Sequence, residues 1–115
     1  MKASFYNKLQ DDFVMIRFMQ YQESFDQEKY DSTVLSIREA RKKINMHSAP
    51  AEKNILLYCI DTLFEIINEG DKQKIFDFAD AIHNIPEIYM QKRNLYSFRN
   101  SFKFFYSLSI TILIR

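Results

Sequence analysis

Apolar residues recur along this chain at intervals of three and four, the spacing that gathers them on one side of an α-helix. From about Ser4, Tyr6, Leu9, Phe13 and Ile16 form one such row, and Val14, Phe18, Tyr21 and Phe25 form a second beside it. The pattern predicts a first helix that is apolar over more than one face. The polar run "QEKYDST" (27–33) then interrupts, with Asp31, Ser32 or Thr33 available as N-cap. Val34, Ile37, Ala40 and Ile44 make a narrower stripe to about Met46, so the second helix should lie mostly on the surface. "HSAP" (47–50) places Ser48 to cap a third helix and Pro50 at its first turn, where a missing N–H costs nothing.

The third helix should run to about Glu69, with Leu56, Ile60, Leu63 and Ile67 on one face and Leu57 and Phe64 beside it. Gly70, the only glycine, stands where a left-handed C-terminal cap belongs. Asp71 can cap a fourth helix ending at Ile85, because Pro86 disfavours helical geometry in the residue before it. Through Met90 an irregular stretch or a short turn of helix is expected. Helix then resumes from about Leu95 to Tyr106. The final "SLSITILIR" (107–115) is β-prone, and even counted from Phe102 its oily stretch is shorter than the ~20 residues needed to span a bilayer. Left exposed it would be adhesive, so it should dock on the domain, pair with another copy, or stay disordered.

A chain of 115 residues with 47% hydrophobic residues can enclose one core, so residues 1–115 read as a single helical domain, an all-α bundle of about five helices. One glycine and two prolines leave little for tight turns or phosphate-cradling loops, and no glycine-rich nucleotide motif of the P-loop or dinucleotide kind occurs. A formal net charge of +1 offers no global field to steer nucleic acid or acidic substrates. The lone Cys59 allows no internal disulfide, and no apolar run follows the N-terminal lysine as in a signal peptide, so a cytoplasmic location is expected.

Candidate chemistry is concentrated in residues 77–94, "DFADAIHNIPEIYMQKRN". At about 100° per residue, Ile75, Phe78, Ala79, Ile82 and Ile85 share the apolar face of the fourth helix while Asp77 and Asn84 point away. Asp80 and His83 fall together at the border, three residues apart, where a carboxylate could orient an imidazole for proton transfer or both could ligate a metal completed from elsewhere. The competing structural account is a helix end, with His83 interacting with the C-terminal dipole, Asp80 as its local hydrogen-bond partner, and Asn84 and Pro86 as stop signals. Asp77, Asp80, His83 and Asn84 are thus the candidate polar site. No cofactor and no metal are expected, since the paired motifs of known metal sites are absent. His47 beside Ser48 lacks a third orienting group, and Cys59 in "LLYCID" reads as an inert buried thiol.

The segment "FADAIHNIP" (78–86) followed by "EIYMQKRN" resembles a stretch found in short all-helical proteins of low-GC Gram-positive bacteria that have no assigned activity. The resemblance covers residues 78–94, about a seventh of the chain. It implies a helical fold and a bacterial origin, and no functional residue.

Charge is unevenly placed. All 15 acidic residues fall within 1–87, together with 11 basic ones, whereas 88–115 holds five basic residues and no acid. Lys92, Arg93, Tyr96, Arg99 and Lys103 form the candidate binding surface of this basic, aromatic segment. It could pair with acids of the same fold, bind protein, or contact nucleic acid or a membrane surface. Helical geometry favours internal packing, with Leu95, Phe98, Phe102 and Phe105 toward a core and Arg99 and Lys103 beside the acidic row Asp61, Glu65 and Glu69. Arg38, Arg41, Lys42 and Lys43 add a local basic patch on the second helix. The expectation is a small non-enzymatic protein-interaction or regulatory module, with a protein partner or a second copy of itself as a homodimer. A small enzyme or metal-binding domain at Asp80 and His83 is the first alternative and nucleic-acid binding through the basic C-terminal region the second.

Overall fold

A computed structural model of the protein describes residues 3–48, 50–93 and 99–114. Among them the chain forms α1 (Ala3–Met19), α2 (Gln27–His47), α3 (Pro50–Glu69), α4 (Lys72–His83), α5 (Glu87–Arg93) and α6 (Arg99–Leu113), with no strand. The fold is all-α, as the periodicity predicts. The short α5 follows Pro86, whose carbonyl accepts the Met90 N–H at 3.0 Å.

Several helix ends obey local chemistry that the sequence makes visible. Gly70 adopts φ +73°, and its N–H donates to the carbonyls of Ile66 and Ile67 at 3.2 and 3.0 Å, closing α3 as predicted. Asp71 caps α4, its carboxylate accepting the Gln73 and Lys74 N–H groups at 2.9 and 3.4 Å. Other ends depart from expectation. The first helix stops at Met19, so Tyr21 and Phe25 lie in the connection and are half-exposed. Asp26, not Asp31, Ser32 or Thr33, caps α2 by accepting the Lys29 N–H at 3.0 Å. The polar run is helical, with Ser32 and Thr33 both donating their hydroxyls back to the Lys29 carbonyl and Asp31 accepting from the Gln27 side chain. Ser48 does not cap α3; its backbone N–H closes α2 on the Ile44 carbonyl. α4 ends at His83, two residues before Ile85, because Asn84 takes the C-cap position and donates its N–H to the Asp80 carbonyl.

One apolar cluster joins α1, α2, α3, α4 and α6. Phe13, Leu63, Ile67, Ile75, Leu108 and Ile112 are wholly removed from solvent, and each such burial is worth about 1.5–3 kcal/mol. α3 is the shared element, touching α1, α2, α4 and α6, while α4 lies along α6 and α1 along α2. The end of α1 is tied down by Arg17, which is buried, donates to Gln20 Oε1 at 2.8 Å and sits 4.8 Å from the centre of the Tyr21 ring. Gln20 in turn donates to the Ile67 carbonyl near the end of α3.

The C-terminal run is helix rather than an extended segment. α6 continues to Leu113, because Phe105, Leu108 and Ile112 recur at helical spacing and all three are buried, with the Ser109 hydroxyl turned inward onto the Phe105 carbonyl at 2.7 Å. The tail therefore docks on the body of the protein, and among its described large apolar residues only Ile114 is strongly exposed. Leu95 and Phe98, predicted for the core stripe of this helix, lie outside the described residues. Among the described residues no helix is long and apolar enough to cross a membrane.

Candidate functional site

Because α3 is apolar on more than one side, packing its central row against the core leaves a second row to find cover. Leu56, Ile60, Leu63 and Ile67 take the core, and Ile55, Cys59, Thr62 and Ile66, each one position earlier or nearly so, form the adjoining row. α4 leaves the Gly70 turn beside α3 and sets Phe78, Ala81 and Ile82 opposite that row, with Ile85 following just past its end. The result is an apolar cleft of about 840 Å³ between α3 and α4, met at its far end by Phe102 of α6. From Ile55 to Ile66 it runs along eleven helical steps, about 16 Å. It is an open groove rather than an enclosed cavity, with the Tyr58 ring 68% exposed at its lip. Ala81 matters by its smallness, since a large side chain there would stand in the groove.

The two ends of the cleft differ in charge. At the end nearest the Gly70 turn, Lys74 pairs with Glu69 at 2.6 Å, and Glu69, Asp71 and Glu65 together hold its ammonium further into the charged form. Asp77 stands there too, accepting a hydrogen bond from Gln73 Nε2 at 2.9 Å. At the other end Ile82, Ile85 and Phe102 also line a smaller pocket of about 200 Å³, bounded by His83, Met90, Arg99, Lys103 and Tyr106. That pocket is cationic at its rim and apolar at its floor. Cys59, within the cleft wall, is buried, and burial pushes its thiol up to about 12, so it carries no nucleophile at neutral pH.

The candidate polar site of the sequence does not assemble as such. Asp80 does not orient His83; its carboxylate accepts from Asn84 Nδ2 at 2.7 Å. The His83 ring instead stacks on Tyr106 of α6, centroids 4.8 Å apart and planes at 27°. Asp77 lines the cleft and bonds to Gln73 rather than to Asp80 or His83. The fold thus takes His83 out of one candidate set and joins it to Arg99 and Lys103 of the other. Lys92 is exposed on α5, while the Arg93 side chain and Tyr96 lie outside the described residues. Among the described residues no group of three or more histidine, cysteine or acidic side chains could hold a metal ion.

Two members of the acidic row of α3, Asp61 and Glu69, are paired, with other partners than those expected. Asp61 receives the Arg41 guanidinium in a two-pronged bond, 2.7 Å on each side, which holds Arg41 further into its charged form. Glu69 goes to Lys74. Arg41, Arg38 and Lys42 rim a second groove of about 430 Å³ between α2 and α3, and with Arg41 held by Asp61 and Lys42 at 3.4 Å from Glu39, much of that basic patch is locally balanced. Sequence reasoning missed the cleft because it assigned the second row of α3 to Leu57 and Phe64. The spacing of Ile55, Cys59, Thr62 and Ile66, together with the small Ala81, was the available signal.

No family model matches the chain, no curated protein is significantly similar to it, and no solved structure matches it.

Proposed function

We propose that this protein is a small non-enzymatic interaction module that receives an amphipathic helix of a partner protein in the cleft between α3 and α4. The single observation behind this is the cleft itself: an open apolar groove about 16 Å long with two helical walls, the shape that accepts one face of a helix at anchors spaced i, i+3 or i+4, and i+7. The helix-end role of Asp80 and Asn84 and the stacking of His83 on Tyr106 leave the enzymatic alternative without its orienting pair. A cytoplasmic setting fits the free, buried Cys59, and a bacterial origin is proposed on the "FADAIHNIP" segment alone.

Selection of helical peptides of about 15 residues from a randomised library tests the proposal, using the wild-type protein beside Ala81→Trp and Thr62→Arg. Enriched peptides should carry apolar residues at helical spacing and lose binding to both variants. No enrichment, or binders indifferent to both, would overturn it. A homodimer is the second form, favoured by the half-exposed rings of Phe18, Tyr21 and Phe25 at the end of α1 and in the following turn. Sedimentation at rising concentration tests it: a mass that stays monomeric counts against it.

A further inference from the structure

On the basis of the homodimer form of the proposed function, we infer that two copies of the chain pair through the outward face of α2, lying antiparallel about a two-fold axis at Leu35.

The side of α2 turned away from the core carries Glu28, Asp31, Leu35, Arg38 and Lys42, spaced alternately three and four residues apart. At 100° per residue they fall within about 80° of one another, in the kind of row along which two helices lie side by side. All five are exposed, Leu35 by 58%. Ile37 and Ile44 take the other side of the helix into the core, so the fold itself leaves Leu35 uncovered.

Charge divides this row at Leu35. Both members before it are acidic and both after it are basic. Glu39 stands outside the row, about 100° round from Arg38. A parallel copy would set like charges together. An antiparallel copy turned about Leu35 sets Glu28 against Lys42 and Asp31 against Arg38, and the two-fold axis repeats each contact, with the two leucines between them. Within one copy these groups have little to hold them. Glu28 and Arg38 form no ion pair among the described residues, and Asp31 accepts from the neutral Gln27 side chain. Lys42 reaches Glu39 at 3.4 Å with both side chains more than half exposed, a pair worth little. Arg38 and Lys42, four apart, repel each other, and the acids of a second copy relieve that repulsion.

Apolar residues match under the same rotation. Met46 continues the row beyond Lys42 and is 74% exposed, while Phe25, just before the Asp26 cap, is 52% exposed. They lie on opposite sides of Leu35 at nearly equal distance along the chain, so Phe25 of each copy comes to the level of Met46 of the other.

The test is sedimentation equilibrium of the full chain up to its solubility limit. It compares the wild type, Asp31→Lys, Arg38→Glu, the two single variants mixed in equal amounts, and the double variant; far-ultraviolet circular dichroism checks that each keeps its helix content. The wild type should dimerise, and less so as salt rises. Each single variant should dimerise at least about tenfold more weakly, because one substitution turns two attractions into repulsions. The mixture and the double variant should recover to within about threefold of the wild type, since in both every reversed charge again meets its opposite. A dimer that both single variants leave unchanged, or that the mixture fails to restore, would overturn this interface while the homodimer stands. If the wild type stays monomeric throughout, the homodimer form itself falls, and the interface with it.

Discussion

The imidazole of His83 and the phenol ring of Tyr106 lie 4.8 Å apart and within 27° of parallel, joining the last residue of α4 to the middle of α6. This contact replaces the Asp80 partner that spacing alone would give His83. Aromatic pairs of this kind are worth about 0.5–1.5 kcal/mol beyond their burial. A double-mutant cycle with His83→Ala and Tyr106→Ala, read by denaturant unfolding, should return a coupling of about 0.5–1 kcal/mol, toward the lower end because His83 is exposed. Additive effects would mean that the stack contributes nothing.

Asp12 of α1 accepts the Ser36 hydroxyl of α2 at 2.6 Å, and burial raises its carboxyl above the usual range, partly offset by that hydrogen bond. A raised folded-state value means the native protein holds this proton more tightly than the unfolded chain. Asp12 therefore costs stability as pH rises from the ordinary aspartate value through the raised one, and the cost is fully present at neutral pH. Asp12→Asn keeps an acceptor for Ser36 and removes the charge. Its melting temperature should exceed the wild type's at pH 7, and the difference should narrow as pH falls through the raised value and be largely gone at the ordinary aspartate value of about 4. A variant less stable than the wild type at pH 7 would contradict this.

Gly70 has open space where a Cβ would lie, so backbone strain is the only objection to a side chain there. With φ at +73°, Gly70→Ala should cost about 1 kcal/mol and Gly70→Asn less, since asparagine tolerates the left-handed region better. Equal unfolding free energies for wild type and Gly70→Ala would show that this turn does not need glycine.

Cys59 should resist a thiol reagent in the folded protein at pH 7.5 and react only as fast as the chain unfolds, because burial keeps it protonated and covered. Stoichiometric labelling within minutes under native conditions would mean that the floor of the cleft opens more readily than its burial indicates.

Gly70, Asp71 and Pro50 announce their roles in the sequence because each acts through its own backbone or over two or three residues. The start of α2 was misplaced because Ser32 and Thr33 serve equally well as caps or as residues bonded back to the preceding turn, and only Asp26 being available upstream decides between them. The tail was ambiguous for another reason. Isoleucines in alternation suit a strand, and it is the surface offered by α1 and α4 to Leu108 and Ile112 that makes helix the better solution. Of the candidate site, His83, Arg99 and Lys103 were legible as chemistry, but not as neighbours, since α4 and α6 meet only through the fold. The cleft lay hidden in a choice between two apolar rows on α3 that periodicity alone does not rank.

The most direct measurement is a methyl spectrum of the isoleucine-labelled protein recorded with a selected helical peptide. If the helix lies between α3 and α4, the methyl signals of Ile55, Ile66, Ile82 and Ile85 should shift together and saturate, while those of Ile44 and Ile112, buried elsewhere in the core, stay in place. Shifts confined to Ile37 and Ile60, in the groove between α2 and α3, would contradict this account and move the partner to the other side of α3.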